Sequence, residues 1–165
     1  MISIKNFSLI FSLFITMACL TFSVAASTFE EQQDMLKSSS PSLTDNKKIV
    51  FDFYRVVFEA LHMEKAADYL TPEYIQHNPN VSSGRDGFIQ AFSKRGEPKT
   101  IENHINAPLI SIIAEDDIVV FVFSREYPEP ADSSKKYQST WFDMFRIENG
   151  MIAEHWDPAI KKTSK

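Results

Sequence analysis

His155 and Asp157 stand two residues apart at the end of the run 143–157, and His77 closes the apolar part of Tyr74-Ile75-Gln76-His77-Asn78-Pro79. Imidazole changes charge near neutral pH, and a carboxylate shielded from water suits proton abstraction beside a carbonyl. Each residue also has a plainer reading. His155 and Asp157 can be polar residues at an exposed strand end, and His77 a hydrogen-bonded packing histidine. Asp143 is either a solvated interruption or a carboxylate paired with Arg125 or Arg146. Four histidines, His62, His77, His104 and His155, raise a metal site, but none stand at H-x-x-x-H spacing, so no metal is expected. The four glycines build neither dinucleotide nor phosphate loop, and there is no G-x-S-x-G elbow, so neither a nucleotide cofactor nor serine chemistry is expected.

Elements must carry these side chains. Val50, Phe53, Tyr54, Val57, Phe58 and Leu61 fall on one helical face, with Lys48, Asp52, Arg55 and Glu59 opposite, which predicts an amphipathic helix starting at Thr44 or Asp45. A second, short helix over Glu64–Leu70 must stop before Thr71-Pro72, because the residue preceding proline avoids helical angles. A third follows the cap Ser83, with Phe88, Ile89 and Phe92 as its apolar face and Gly96 as its end. After Lys99 the period becomes two. Ile101, Asn103 and Ile105 alternate with Glu102, His104 and Asn106, and residues 109–114 and 118–123 are nearly continuous β-branched and aromatic runs. Helices followed by a meander of strands predict an α+β domain with a mostly antiparallel sheet.

Asn149-Gly150, between two apolar runs, is a hairpin signal, since a type I′ turn needs positive φ at both central residues. Undisturbed pairing from that turn sets Glu148 against Met151, Arg146 against Ala153, Met144 against His155 and Phe142 against Asp157. On that register Phe142, Met144, His155 and Asp157 share one face. Trp141, Asp143, Phe145, Ile147, Ile152 and Trp156 share the other, and their apolar stripe suits contact with a second copy of the chain.

The chain has 165 residues and a formal net charge of −5, with no basic stripe, which argues against nucleic acid as a partner. Residues 1–26 carry one lysine, an apolar run and small residues at Val24 and Ala26, the pattern of a cleaved signal peptide. A retained anchor and lipidation at Cys19 are the alternatives. Cys19 precedes the mature chain, so disulfide, thiolate–zinc and cysteine-nucleophile chemistry are excluded from it. Residues 27–43 are polar and serine-rich and read as a flexible linker, 44–160 as a single domain, and 161–165 as a basic tail. The product is expected outside the cytoplasm, periplasmic or secreted.

The stretches 74–79 and 143–157 together resemble the SnoaL-like polyketide cyclase family of the nuclear transport factor 2-like superfamily, over roughly residues 45–158. The resemblance implies a cone, a curved mostly antiparallel sheet packed on about three N-terminal helices around a deep apolar pocket. It also implies back-to-back dimers, no cofactor, and general acid–base chemistry such as aldol condensation. By position, Asp157 becomes the general acid/base and His77 the histidine of a His-Asn-Pro element. His155 joins His77 as a donor to the enolate oxygen, and Asn78, Phe142, Met144 and Tyr54 line the substrate pocket. Two readings follow: an exported pocket protein with cofactor-independent activity on a small apolar or carbonyl-containing molecule, or a non-catalytic ligand-binding or protein-interaction module on the same fold.

Overall fold

A computed structural model describes residues 26–163; the expected signal peptide, apart from Ala26, lies outside the described residues. Helices α1 (Phe29–Leu36), α2 (Pro41–Phe53) and α3 (Arg85–Phe92) pack on strands β1 (Leu70–Gln76), β2 (Leu109–Glu115), β3 (Ile118–Glu129), β4 (Asp132–Glu148) and β5 (Met151–Trp156). The strand order is β1-β5-β4-β3-β2, antiparallel except for the parallel pair β1–β5. The architecture is the expected α+β cone. No helix of the described residues is long and apolar enough to cross a membrane.

The main helix begins earlier than predicted, with Ser40 at the N-cap and Pro41 in the first turn, where the fixed φ of proline suits helix entry and its missing N–H costs nothing. It continues as a π-helical turn, Tyr54–Glu59, and stops at Leu61, whose φ of 63° is left-handed. Val50, Phe53, Tyr54, Val57 and Leu61 are buried as the spacing required. The second helix is a 3-10 segment, Met63–Asp68. Gly84, not Ser83, caps α3; the Ser83 hydroxyl instead accepts from the Gln76 backbone N–H at 3.0 Å.

Residues 27–43 are not a flexible linker. Thr28 and Glu31 close a capping box on α1, and Lys47 donates to the carbonyls of Met35 and Lys37 at the other end. Fully buried Gln32 accepts from the Ile105 N–H and donates to its carbonyl, both at 2.8 Å. Its amide takes the place of a neighbouring strand. This also explains why residues 101–108 form no strand despite their alternation: Gln32 satisfies Ile105, and the Glu59 carboxylate accepts from the N–H groups of Asn106 and Ala107. Gln32→Leu leaves both buried backbone groups of Ile105 unpaired, and urea denaturation is expected to show a loss of about 2–4 kcal/mol. An unchanged midpoint would mean that α1 is not part of the cooperative unit.

The Asn149-Gly150 turn forms as predicted, with φ of 51° and 76°, and Glu148 faces Met151. The register beyond it differs. Ile147 faces Ile152, but Arg146 then faces Glu154, Phe145 faces His155 and Met144 faces Trp156. A bulge at Ala153 supplies one extra residue, and one residue of slip exchanges the two faces of the strand. His155 and Asp157 therefore turn toward Phe145 and Asp143, away from Phe142 and Met144. The predicted outer stripe is overturned too: Phe145, Ile147 and Ile152 lie on the face that packs into the core, and the slip carries Trp156 alone of that set to the outside.

Candidate active site

Strand β1 starts through Thr71-Pro72 at the sheet edge, where a missing N–H is tolerated. Period two then puts Tyr74, Gln76 and Asn78 on the inner side, and Ile75 and His77 on the outer. Asn78 reaches the carboxylate of Asp157 through Nδ2 at 2.7 Å, and the Ala159 N–H donates to the other oxygen at 2.8 Å. Two donors from separate segments fix how Asp157 is aimed. Asn80 completes the support by donating to Asn78 Oδ1 from its backbone and its side chain.

Beside Asp157, His155 and Asp143 are buried, 7% and 5% exposed. The Asn78 N–H donates to Gln76 Oε1 at 2.9 Å and Gln76 Nε2 donates to the Tyr74 hydroxyl at 3.1 Å, which orients the Gln76 amide. His155 Nδ1 lies 2.8 Å from that same Oε1, so it must be the donor. Its Nε2 then faces Asp143 Oδ1 at 3.3 Å, an oxygen that also accepts from the Trp141 indole N–H at 2.9 Å. A lone pair opposed to a carboxylate would repel it, so a positive charge belongs in the gap. A proton shared by His155 and Asp143 supplies it. Asp143, His155 and Asp157 each present one ligand atom within 4.8 Å of the others, so among the described residues this is also the group that could hold a metal ion.

The three side chains line a cavity of about 720 Å³ between helices and sheet. Phe53, Tyr54, Phe88 and Phe92 wall it from the helical side, Trp141 and Phe145 from the sheet. Residues Pro158–Ile160 and Lys162 cross its mouth, tied down where the Lys162 N–H donates to Asn80 Oδ1. The basic tail is thus anchored as far as Lys162. Burial, and then the negative charge of Asp143, push the Tyr54 phenol well above the usual tyrosine range. Tyr54 stays protonated at neutral pH and can donate.

Of the site residues expected from sequence, the structure brings together Asp157, His155, Asn78 and Tyr54. His77 is outside: it stacks on Trp156 at 4.5 Å between centroids and bonds Glu154 at 2.9 Å on the outer surface. His77 and Arg146 hold the Glu154 carboxyl below the usual range. Phe142 and Met144 also face outward. Asp143 and Gln76 were not among the site residues expected. An acid between Trp141 and Phe145 on an apolar strand face was the available signal for Asp143; for Gln76 it was the alternation through Tyr74 and Asn78.

The family model for the SnoaL-like domain matches residues 50–155, about two thirds of the sequence. The chain belongs to the SnoaL-like domain family. Among solved structures, a candidate SnoaL-like polyketide cyclase from Jannaschia sp. CCS1 is 16% identical, with a TM-score of 0.51 over 74% of this chain and 91% of that one. A candidate polyketide cyclase from Acidithiobacillus ferrooxidans is 15% identical, with a TM-score of 0.50 over 73% and 89%. At these identities the likeness shows the fold alone. No curated protein matches the sequence. Within a SnoaL-like domain, the cavity above is the space enclosed by the cone.

Proposed function

We propose that this SnoaL-like domain catalyses cofactor-independent acid–base chemistry on a small carbonyl compound, after export to the periplasm or the exterior. The observation that carries it is the oriented Asp157 carboxylate beside the hydrogen-bonded Asp143–His155 pair in a cavity walled by aromatic rings. Asp157 removes the proton next to the carbonyl, its carboxylate held in place by Asn78 and the Ala159 N–H. Charge moves to the carbonyl oxygen, where the Tyr54 hydroxyl or the shared His155 proton can meet it. The enolate carbon then attacks a second carbonyl in the same molecule, or is reprotonated elsewhere, or expels hydroxide, giving aldol condensation, isomerisation or dehydration. The test is exchange of ketone α-hydrogens in D₂O, followed by proton NMR. Exchange well above the buffer rate is expected, whereas the buffer rate across a range of apolar ketones would leave the non-catalytic binding module in front. The export half of the proposal rests on residues 1–26, and intact mass starting at Ser27 is its expected mark.

A homodimer through the outer sheet face belongs to the same proposal, with Trp156 alone retained from the stripe expected from sequence. Ile113, Val120, Met144 and Trp156 are cross-strand neighbours in one row over four strands, with Phe142 paired to Val122 in the next. Ile113 and Phe142 are 54% and 48% exposed. A contiguous apolar surface of this kind is what a second copy covers. Phe142→Asp should convert a dimer to a monomer in sedimentation velocity at micromolar concentration; a monomeric wild type would refute the assignment.

A further inference from the structure

Two guanidinium groups in the cavity have no partner in the chemistry above. Arg125 projects from β3 over the Trp141 ring, 3.7 Å from its centroid, and Arg95, from the turn after α3, lies over the rings of Phe92 and Phe58 at 4.1 and 4.6 Å. Among the described residues, the arginines paired with carboxylates are Arg55 and Arg146; neither Arg95 nor Arg125 is. Both line the cavity, one from the helical wall and one from the sheet. In a chain with 22 acidic and 17 basic residues, both guanidiniums face the cavity without a carboxylate beside them, and Lys162 adds a further cation at its mouth.

We propose that the ligand of this cavity is an organic carboxylate, its acid group clamped between Arg95 and Arg125 while its carbonyl end meets Asp157. The aromatic rings beneath each guanidinium hold its plane and leave its edges free, and a planar fork of N–H donors matches the two oxygens of a carboxylate. The two arginines are near enough to influence each other: after burial, the charge of Arg125 helps to lower the Arg95 pKa, and both act on Tyr54. An anion placed there relieves that repulsion. Trp141 sets the spacing, since its indole donates to Asp143 at one edge and carries Arg125 on its face. Acid group and carbonyl thus meet the same Trp141 side chain, which fits a short keto acid with an apolar body against the phenylalanine wall.

This inference rests on the proposed function for the identity of the carbonyl end, and the test separates the two. The probe is 4-oxo-4-(2-naphthyl)butanoate, compared with its methyl ester on the full chain by calorimetry and by α-hydrogen exchange in D₂O. The acid is expected to bind at least about tenfold more tightly than the ester, with a preference that shrinks as salt is raised. Arg95→Gln and Arg125→Gln should each remove most of that preference, read as the ratio of acid to ester affinity in the same variant. The Arg125→Lys variant, which keeps charge but not the fork, should restore only part of it. Equal binding of acid and ester, no binding of the acid at millimolar concentration, or a preference that survives in the double glutamine variant would overturn the clamp. Exchange of ester and acid alike would sink the clamp while sparing the acid–base reading. An arginine-dependent acid preference without exchange would do the reverse.

Discussion

Asp157→Asn is expected to lower α-hydrogen exchange by roughly 10²-fold or more, the usual scale for losing a general base. The amide keeps the volume of the carboxylate but cannot take the proton. Its effect on stability is also specific. Asp157 accepts from both Asn78 Nδ2 and the Ala159 N–H, so whichever way the new amide turns, its NH₂ faces one of those donors. Asn78 cannot rotate freely to relieve this, because its own Oδ1 accepts from Asn80. A loss of about 1 kcal/mol in denaturant is expected, consistent with one unmade hydrogen bond at a half-buried site. Full exchange activity in a folded Asp157→Asn protein would remove Asp157 from the reaction.

The second large effect belongs to Asp143, and two substitutions there should diverge. Asp143→Leu strands the Trp141 N–H and the His155 Nε2 in a buried site, and a loss of about 2–4 kcal/mol is expected. Asp143→Asn does not. Its oxygen can accept from Trp141 while its NH₂ donates to neutral His155, so stability should stay within about 1 kcal/mol of wild type. What the asparagine removes is the shared proton, and with it one source of acid; exchange should fall by about tenfold to a hundredfold in a protein that melts normally. If Asp143→Asn were as unstable as Asp143→Leu, the hydrogen-bond assignment of the site would be wrong.

These variants mark where the sequence was legible and where it was not. Helix α2 announced itself because its buried face recurs with helical spacing from Val50 to Leu61, and the Asn149-Gly150 turn because few residue pairs tolerate two positive φ angles. The family resemblance put Asp157 and Asn78 at the site, and the cavity contains both. The bulge at Ala153 has no local signature: an alanine fits a regular strand as well as a bulged one, yet that one residue decides whether His155 faces Phe145 or Met144. Reading Thr71-Pro72 as a boundary hid β1, and with it the alternation that turns His77 outward and Gln76 inward. Composition misjudged residues 27–43 for a related reason. A polar segment orders when its polar groups find buried partners, and the partner of Gln32 is a backbone 73 residues away.

On the proposed chemistry Asp143, His155 and Asp157 work with protons and no bound metal, although their ligand atoms lie close enough to hold an ion. The most direct test is α-hydrogen exchange of a ketone substrate by the full chain before and after exhaustive chelation, with metal content measured on the same samples. An unchanged rate is expected in metal-free protein. Loss of exchange on chelation, with recovery on adding back one equivalent of a divalent cation, would contradict it.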